Sequence, residues 1–305
     1  MPTLTSATAR VEIATHGAEL TSFTDLASGR EYLWQADPAQ WARHAPLLFP
    51  IVGKLPENTY LLHDQPLNLP QHGFARDQEF TVIHQDAASL TLQLMANAAT
   101  KAEYPFEFEL RVRYELRGSV LTVGWHVRNP AAAGHDLLFS IGAHPAFNCP
   151  LRPEAGEQFE DYFFEIGNPP NPLERQLLKG GLRTGETQVV PLSNHELTDD
   201  GEALPLTYEL FADDALVFKL DKFTDSFSWI MLRSNKSPHF VRMQFNGFPY
   251  LGLWTKGPGA SFVCIEPWQG VASPVGPPQE LSEKEGILSL APSQMFDVSY
   301  TIEIG

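Results

Sequence analysis

Twelve residues at 106–117, FEFELRVRYELR, alternate without a break: Phe106, Phe108, Leu110, Val112, Tyr114 and Leu116 are apolar, and every residue between them is charged. A period of two belongs to a β-strand, whose successive side chains point to opposite faces, so the segment predicts a strand with one face buried and one solvated. Gly118 and Ser119 follow, and Leu121, Val123, Trp125 and Val127 then resume the alternation. That pattern predicts an antiparallel hairpin. Its one-sided apolar face needs a second layer to cover it, which commits the chain to a layered β architecture.

Weaker copies of the pattern recur. Residues 19–34 read as strand, Ser-Gly turn and strand, and 80–96 do the same around Asp86 and Ala87. Further strands are expected at 215–220, 227–232, 239–245, 262–267 and 296–304. Helical periodicity is scarce: 37–45 predicts one short helix and 282–287 a turn of another. The stretch 149–206 is the least periodic and reads as long excursions over a sheet face. The 25 prolines and 22 glycines punctuate the chain evenly, and there is no repeat or low-complexity tract. The expectation is one domain over 1–305, an all-β, large antiparallel β-sandwich.

The formal net charge of −16 argues against nucleic acid or an anionic membrane surface as the main partner, because both need a basic footprint. Two cysteines, Cys149 and Cys264, make no disulfide framework. No stretch reads as a signal peptide, and no apolar run approaches the roughly 18–20 residues that span a bilayer. A cytoplasmic protein is expected.

Three segments carry unusual polar content. In 140–148, SIGAHPAFN, Pro145 restrains the residue before it to extended geometry, so His144 sits on a fixed stub of backbone. It is either a buried histidine satisfying a turn or a proton donor held at a set distance from a substrate. In the proline-shaped region 44–80, His72 precedes Gly73, a residue that permits close backbone approach to a ligand. In 261–273, SFVCIEPWQGVAS, Glu266 ends an apolar run, either as a solvated strand end or as a pocket base with a raised pKa. His16, His63, His84, His126, His135 and His195 have no neighbours that suggest chemistry and are read as structural or solvated.

In chain order, HAPLLFPIVGKL, QHGFAR, SIGAHPAFN, PYLGLWTK and CIEPWQG together resemble the aldose 1-epimerase (galactose mutarotase-like) family, most closely its LacX-like branch of sugar epimerase homologues. Each motif is weak alone, and the resemblance runs from about Gly17 to the C-terminus. It implies the β-supersandwich of that family, with the site on a concave sheet face. It also implies interconversion of sugar anomers by ring opening and closure, which needs one acid and one base and neither a metal nor an organic cofactor. His144 is then the acid at the ring oxygen, Glu266 the base at O1, and His72 a hydrogen-bonding partner of the substrate.

The resemblance further implies an early basic residue and a late aspartate as sugar binders. Lys54 stands where relatives generally carry arginine, and it offers a point charge instead of a fork. Asp213 and Asp214 both fit the aspartate, with Asp214 preferred for its place beside a strand. Trp254 and Trp268 either stack on a pyranose or fill the core. Arg76, with Arg43 nearby, either grips the phosphate of a hexose 6-phosphate or pairs with Asp77 or Glu79. The expected partner is a small-molecule sugar, a free aldohexose or a hexose phosphate, and the chain a monomer or homodimer. Three rival readings stand beside this one. They are a metal-dependent hydrolase with His72, His144 and Glu266 as ligands, a glycosidase using Glu266 and Asp214, and a non-catalytic sugar-binding protein.

Overall fold

The computed structural model describes residues 1–305 except 194, 195, 199, 200 and 221–226; His195 is outside the described residues. The predicted hairpin is present. Glu109–Arg117 pairs antiparallel with Val120–Arg128, setting Leu116 against Leu121, Tyr114 against Val123 and Val112 against Trp125. Those side chains are buried, while the arginines and glutamates between them face outward. Pairing begins at Glu109; Phe106 and Phe108 are buried but precede the strand.

The hairpin lies inside a nine-stranded antiparallel sheet. Its order is Gly201–Pro205, Tyr162–Gly167, Trp229–Ser234, Phe240–Gln244, Met295–Ile304, Val120–Arg128, Glu109–Arg117, Ser89–Met95 and Thr81–Gln85. A second, eight-stranded sheet covers its apolar face. That sheet runs Leu182–Val190, Leu173–Lys179, Leu216–Lys219, Tyr250–Trp254, Phe262–Trp268, Gly142–Ala143 and Leu47–Leu48, with Ala146–Asn148 also paired to Phe262–Trp268. One core joins Val112 and Trp125 of the first sheet to Phe218, Leu253, Val263 and Ile265 of the second. This is the expected sandwich. Among the described residues no helix is long and apolar enough to cross a membrane.

Several expectations need correction. Among its described residues the 149–206 stretch holds four strands: Tyr162–Gly167, Leu173–Lys179, Leu182–Val190 and Gly201–Pro205. Tyr162–Gly167 is buried on both faces and Leu182–Val190 is mostly exposed, so neither shows the alternation that half-buried strands display. In 19–34 only Leu20–Asp25 is a strand, and its predicted partner reduces to single bridges at Glu31 and Leu33. The helix expected at 37–45 is one turn at Asp37, because the N–H groups of His44 and Ala45 bond to the Glu19 carboxylate instead of continuing up the chain. An α-helix forms instead at Ala98–Glu103, where Asn97 and Thr100 make a reciprocal cap.

Candidate active site

Along Phe262–Trp268 the period of two sends Val263 and Ile265 into the main core and Cys264, Glu266 and Trp268 to the opposite face. The same strand pairs with both segments that flank His144. Gly142 stands against Trp268 and Ala146 against Cys264, which leaves His144 opposite Glu266. Two of the sequence motifs are therefore cross-strand neighbours. His144 Nε2 lies 3.2 Å from Glu266 Oε2, and both residues are buried. The contact is within ion-pair distance but is not aligned as a hydrogen bond, and among the described residues both His144 Nδ1 and Glu266 Oε2 are buried without a hydrogen-bond partner.

Burial dominates the electrostatics of this pair. It pulls His144 down to about 3, against a weaker opposing pull from the residue's own carbonyl and with Arg76 and Arg43 adding to the shift. Burial also pushes Glu266 well above the usual carboxylate range, helped by the charge of Asp214 and opposed by the Trp268 indole. Both side chains thus favour their neutral forms, and one transferable proton resides on the pair.

His72 closes the other side. Its ring and that of His144 are 5.6 Å apart, edge to face. The Gly53 N–H donates to His72 Nδ1 at 3.2 Å, which fixes the proton on Nε2 and makes that nitrogen a donor. Nε2 stands 3.2 Å from Gln71 Nε2, so with the proton on His72 Nε2 the Gln71 amide has to turn to present its oxygen as acceptor. Burial, then His144 and the two arginines, holds His72 well below the ordinary histidine range. His72 has a φ of 68°, a conformation that non-glycine residues hold only where surroundings enforce it. Gly73 serves the backbone and not a ligand: a Cβ there would sit 2.3 Å from the Phe49 carbonyl oxygen.

These groups open into a cavity of 390 Å³, within the range of small-molecule sites. Trp254 and Trp268 both line it. Trp268 donates to the Ala143 carbonyl at 3.1 Å and lies across two glycines, since a Cβ on Gly142 or Gly252 would come within 2.6 Å of its ring. Asp214 lines the cavity, whereas Asp213 turns away to Arg175 at 3.4 Å. Arg76 and Arg43 line the mouth and share one carboxylate, Asp77, at 3.8 and 2.8 Å. Arg76 also donates to the Gln71 carbonyl at 2.7 Å, and among the described residues its buried Nε has no hydrogen-bond partner. Lys54 is not among the lining residues; its ammonium donates to the Gly180 carbonyl at 2.9 Å.

Sequence reasoning missed Trp41, Gln71 and the turn at Gly181, all of which line the cavity. Trp41 stacks on His144 with ring centroids 4.9 Å apart, yet it lies in a segment read as a helix, and no local pattern marks it. Among the described residues, the donor atoms of His144, Cys264 and Glu266 lie within 4.8 Å of one another, so Cys264 and not His72 completes that cluster. His16, His63, His84, His126 and His135 lie outside the cavity lining, and His16, His84 and His126 pair with acidic side chains.

The chain matches the aldose 1-epimerase family over residues 2–288. It is 35% identical over 300 residues to the chromosomal LacX protein of Lactococcus lactis subsp. lactis, covering 96% of each chain. Among solved structures, a galactose mutarotase related enzyme from Lactobacillus acidophilus is 32% identical, with a TM-score of 0.89 over 99% of this chain and 96% of that one. A galactose mutarotase-like protein from Lactobacillus casei is 30% identical, with a TM-score of 0.90 and all of both chains covered. With a family match across most of its length and a cavity built by the motifs that carry the resemblance, this chain belongs to the aldose 1-epimerase family, in its LacX-like branch.

Proposed function

We propose that this chain is an aldose 1-epimerase that interconverts the α and β anomers of an aldohexose, with His144 and Glu266 as the proton-transfer pair. One observation carries the reading: a buried imidazole and a buried carboxyl stand 3.2 Å apart, each with an unpartnered polar atom. Moving a proton from Glu266 to His144 gives carboxylate and imidazolium. Glu266 then takes the O1 proton while His144 protonates the ring oxygen; the C1–O5 bond breaks and the C1–O1 bond becomes a carbonyl. Rotation about C1–C2 presents the other face of the aldehyde. On closure O5 returns its proton to His144 and Glu266 returns its proton to O1, which leaves imidazolium and carboxylate; transfer of one proton from His144 back to Glu266 then restores the enzyme. His72, held as an Nε2 donor, exchanges its Gln71 contact for the sugar, hydrogen-bonds it near the ring oxygen and supports the acid step. Trp254, Trp268 and Asp214 shape and bind the pyranose.

The test is polarimetry on freshly dissolved α-D-glucose and α-D-galactose. Wild type accelerates the approach to equilibrium, and His144→Ala or Glu266→Gln lowers kcat by about 10²–10⁴-fold. A chelator leaves the rate unchanged, and no reducing sugar is released from disaccharides. Sensitivity to the chelator would move the assignment to metal chemistry, and release of reducing sugar to a glycosidase.

A second reading is favoured at the cavity mouth. Two guanidinium groups face one carboxylate there, and Arg76 Nε is buried without a hydrogen-bond partner. Such a pair suits a sugar bearing a phosphate, gripped by arginine at a distance from the reacting carbon. Glucose 6-phosphate exchange by NMR tests it, and Arg76→Leu would then raise KM for the phosphate ester far more than for the free sugar. Silence with both sugars would leave a sugar-binding protein without turnover.

A further inference from the structure

Among the described residues, no well-aligned hydrogen bond orients the His144 ring. Its Nδ1 is buried and unpartnered, and its Nε2 faces Glu266 without hydrogen-bond alignment. A working imidazole is usually held by a carboxylate or carbonyl on the nitrogen that does not face the chemistry. Here the ring is packed among other rings. Trp41 covers one face at 4.9 Å with planes 27° apart, Trp254 meets it at 5.8 Å and 85°, and His72 at 5.6 Å and 80°. Of these three rings only Trp41 lies near parallel to the imidazole, so Trp41 is the one that fixes its plane.

Trp41 is itself firmly placed. Its carbonyl accepts from Trp34 Nε1 at 2.9 Å and its N–H donates to the Asp37 carbonyl at 2.8 Å. The neighbouring Gln40 side chain accepts from the Ser261 N–H at 2.7 Å, and further along the His44 and Ala45 N–H groups bond to Glu19. Its ring also stacks on Phe262 at 5.6 Å and meets Trp254 at 5.7 Å. The strap 37–45 therefore delivers an indole to His144 from outside both sheets. An indole face also attracts an imidazolium more strongly than it attracts neutral imidazole.

We infer that Trp41 is the positioning residue of His144, fixing the imidazole plane by stacking where no well-aligned hydrogen bond does so. The inference rests on the reading of His144 as a proton-transfer group. Trp41→Leu keeps apolar bulk and removes the aromatic face, whereas Trp41→Phe keeps a face. In mutarotation assays, Trp41→Leu is expected to lower kcat by about tenfold with KM within about twofold, and Trp41→Phe to recover most of the loss. Nitrogen-15 and carbon-13 relaxation of the His144 ring supplies a readout that does not need turnover: a rigid ring in wild type and Trp41→Phe, a mobile ring in Trp41→Leu. Unchanged kcat and an equally rigid His144 ring in Trp41→Leu would overturn the inference. So would a rise in KM alone, which would make Trp41 a platform for the sugar. If wild type turns over no sugar, the relaxation data still decide the role of Trp41, so the two failures are distinguishable.

Discussion

Lys54 Nζ donates to the carbonyl oxygen of Gly180 across 2.9 Å, fastening the turn between Leu173–Lys179 and Leu182–Val190 beside the cavity. Gly181, the next residue in that turn, lines the cavity and packs on the Lys54 stem. The lysine that the family resemblance assigned to the sugar thus acts in this geometry on the wall around it. An exposed charged hydrogen bond of this kind is worth about 1 kcal/mol. Lys54→Ala should therefore raise KM about fivefold and leave kcat nearly unchanged, because the turn loosens while the proton-transfer pair stays in place. Steady-state kinetics decide the point: a large fall in kcat would place Lys54 on the substrate.

Gly252 pairs with Glu266 on the side of the strand away from His144. A Cβ at Gly252 would lie 2.6 Å from the Trp268 ring and 3.3 Å from the Glu266 Cβ. The indole is rigid and wedged over Gly142 as well, so it cannot yield without moving the carboxylate beside it. Gly252→Ala should destabilise the fold by about 1–3 kcal/mol through overpacking and lower kcat/KM by at least about tenfold. Thermal melts and mutarotation rates measure the two separately. A variant as active and as stable as wild type would show that the tight packing has no bearing on the site.

Much of this was legible in the sequence, and the reason is physical. The 109–128 hairpin announced itself because each of its strands has one buried and one solvated face. The motifs around His144 and Glu266 were legible as chemistry because their residues are titratable and sit beside prolines. What the sequence did not reveal is that Ala146 pairs with Cys264, the register that sets those motifs opposite each other. Strand register depends on partners far apart in the chain and leaves no local mark. Trp41 was hidden for a related reason: its place over His144 depends on contacts with Trp34, Glu19 and Ser261, none of which follows from the pattern of 37–45. The buried strand Tyr162–Gly167 was missed because a strand covered on both faces does not alternate.

The pH dependence of kcat/KM should reflect the shared proton. With His144 held down to about 3 and Glu266 held up, chiefly by burial in both cases, the free enzyme keeps one proton on the pair across neutral pH. Below that window a second proton adds to His144 and Glu266 is no longer a base. Above it Glu266 loses the only proton and no acid remains. The profile should be flat near neutrality and fall on the alkaline side through a group far above an ordinary carboxylate. Asp214 adds to the upward shift of Glu266, so Asp214→Asn should move the alkaline limb to lower pH. An alkaline limb that stays in place in Asp214→Asn would mean that Glu266 is not the group titrating there.

Lys284 makes a prediction about stability. It is buried, donates to the Val271 carbonyl at the cavity wall, and is pulled from 10.5 down to about 7, first by burial and then by Arg183, with Glu285 opposing. Between pH 7 and 10.5 the unfolded chain therefore binds more protons at this residue than the folded one, and stability contributed by it rises with pH through that window. Below about 7 both states carry the ammonium, and the folded state bears the full penalty of burying it. Lys284→Met removes the titration but also one donor to Val271. Its stability relative to wild type should accordingly be highest below about pH 7 and decline steadily as the pH rises towards 10.5. Urea midpoints for both proteins at several pH values provide the measurement. Parallel curves would mean that the ammonium is as well solvated in the fold as in the unfolded chain.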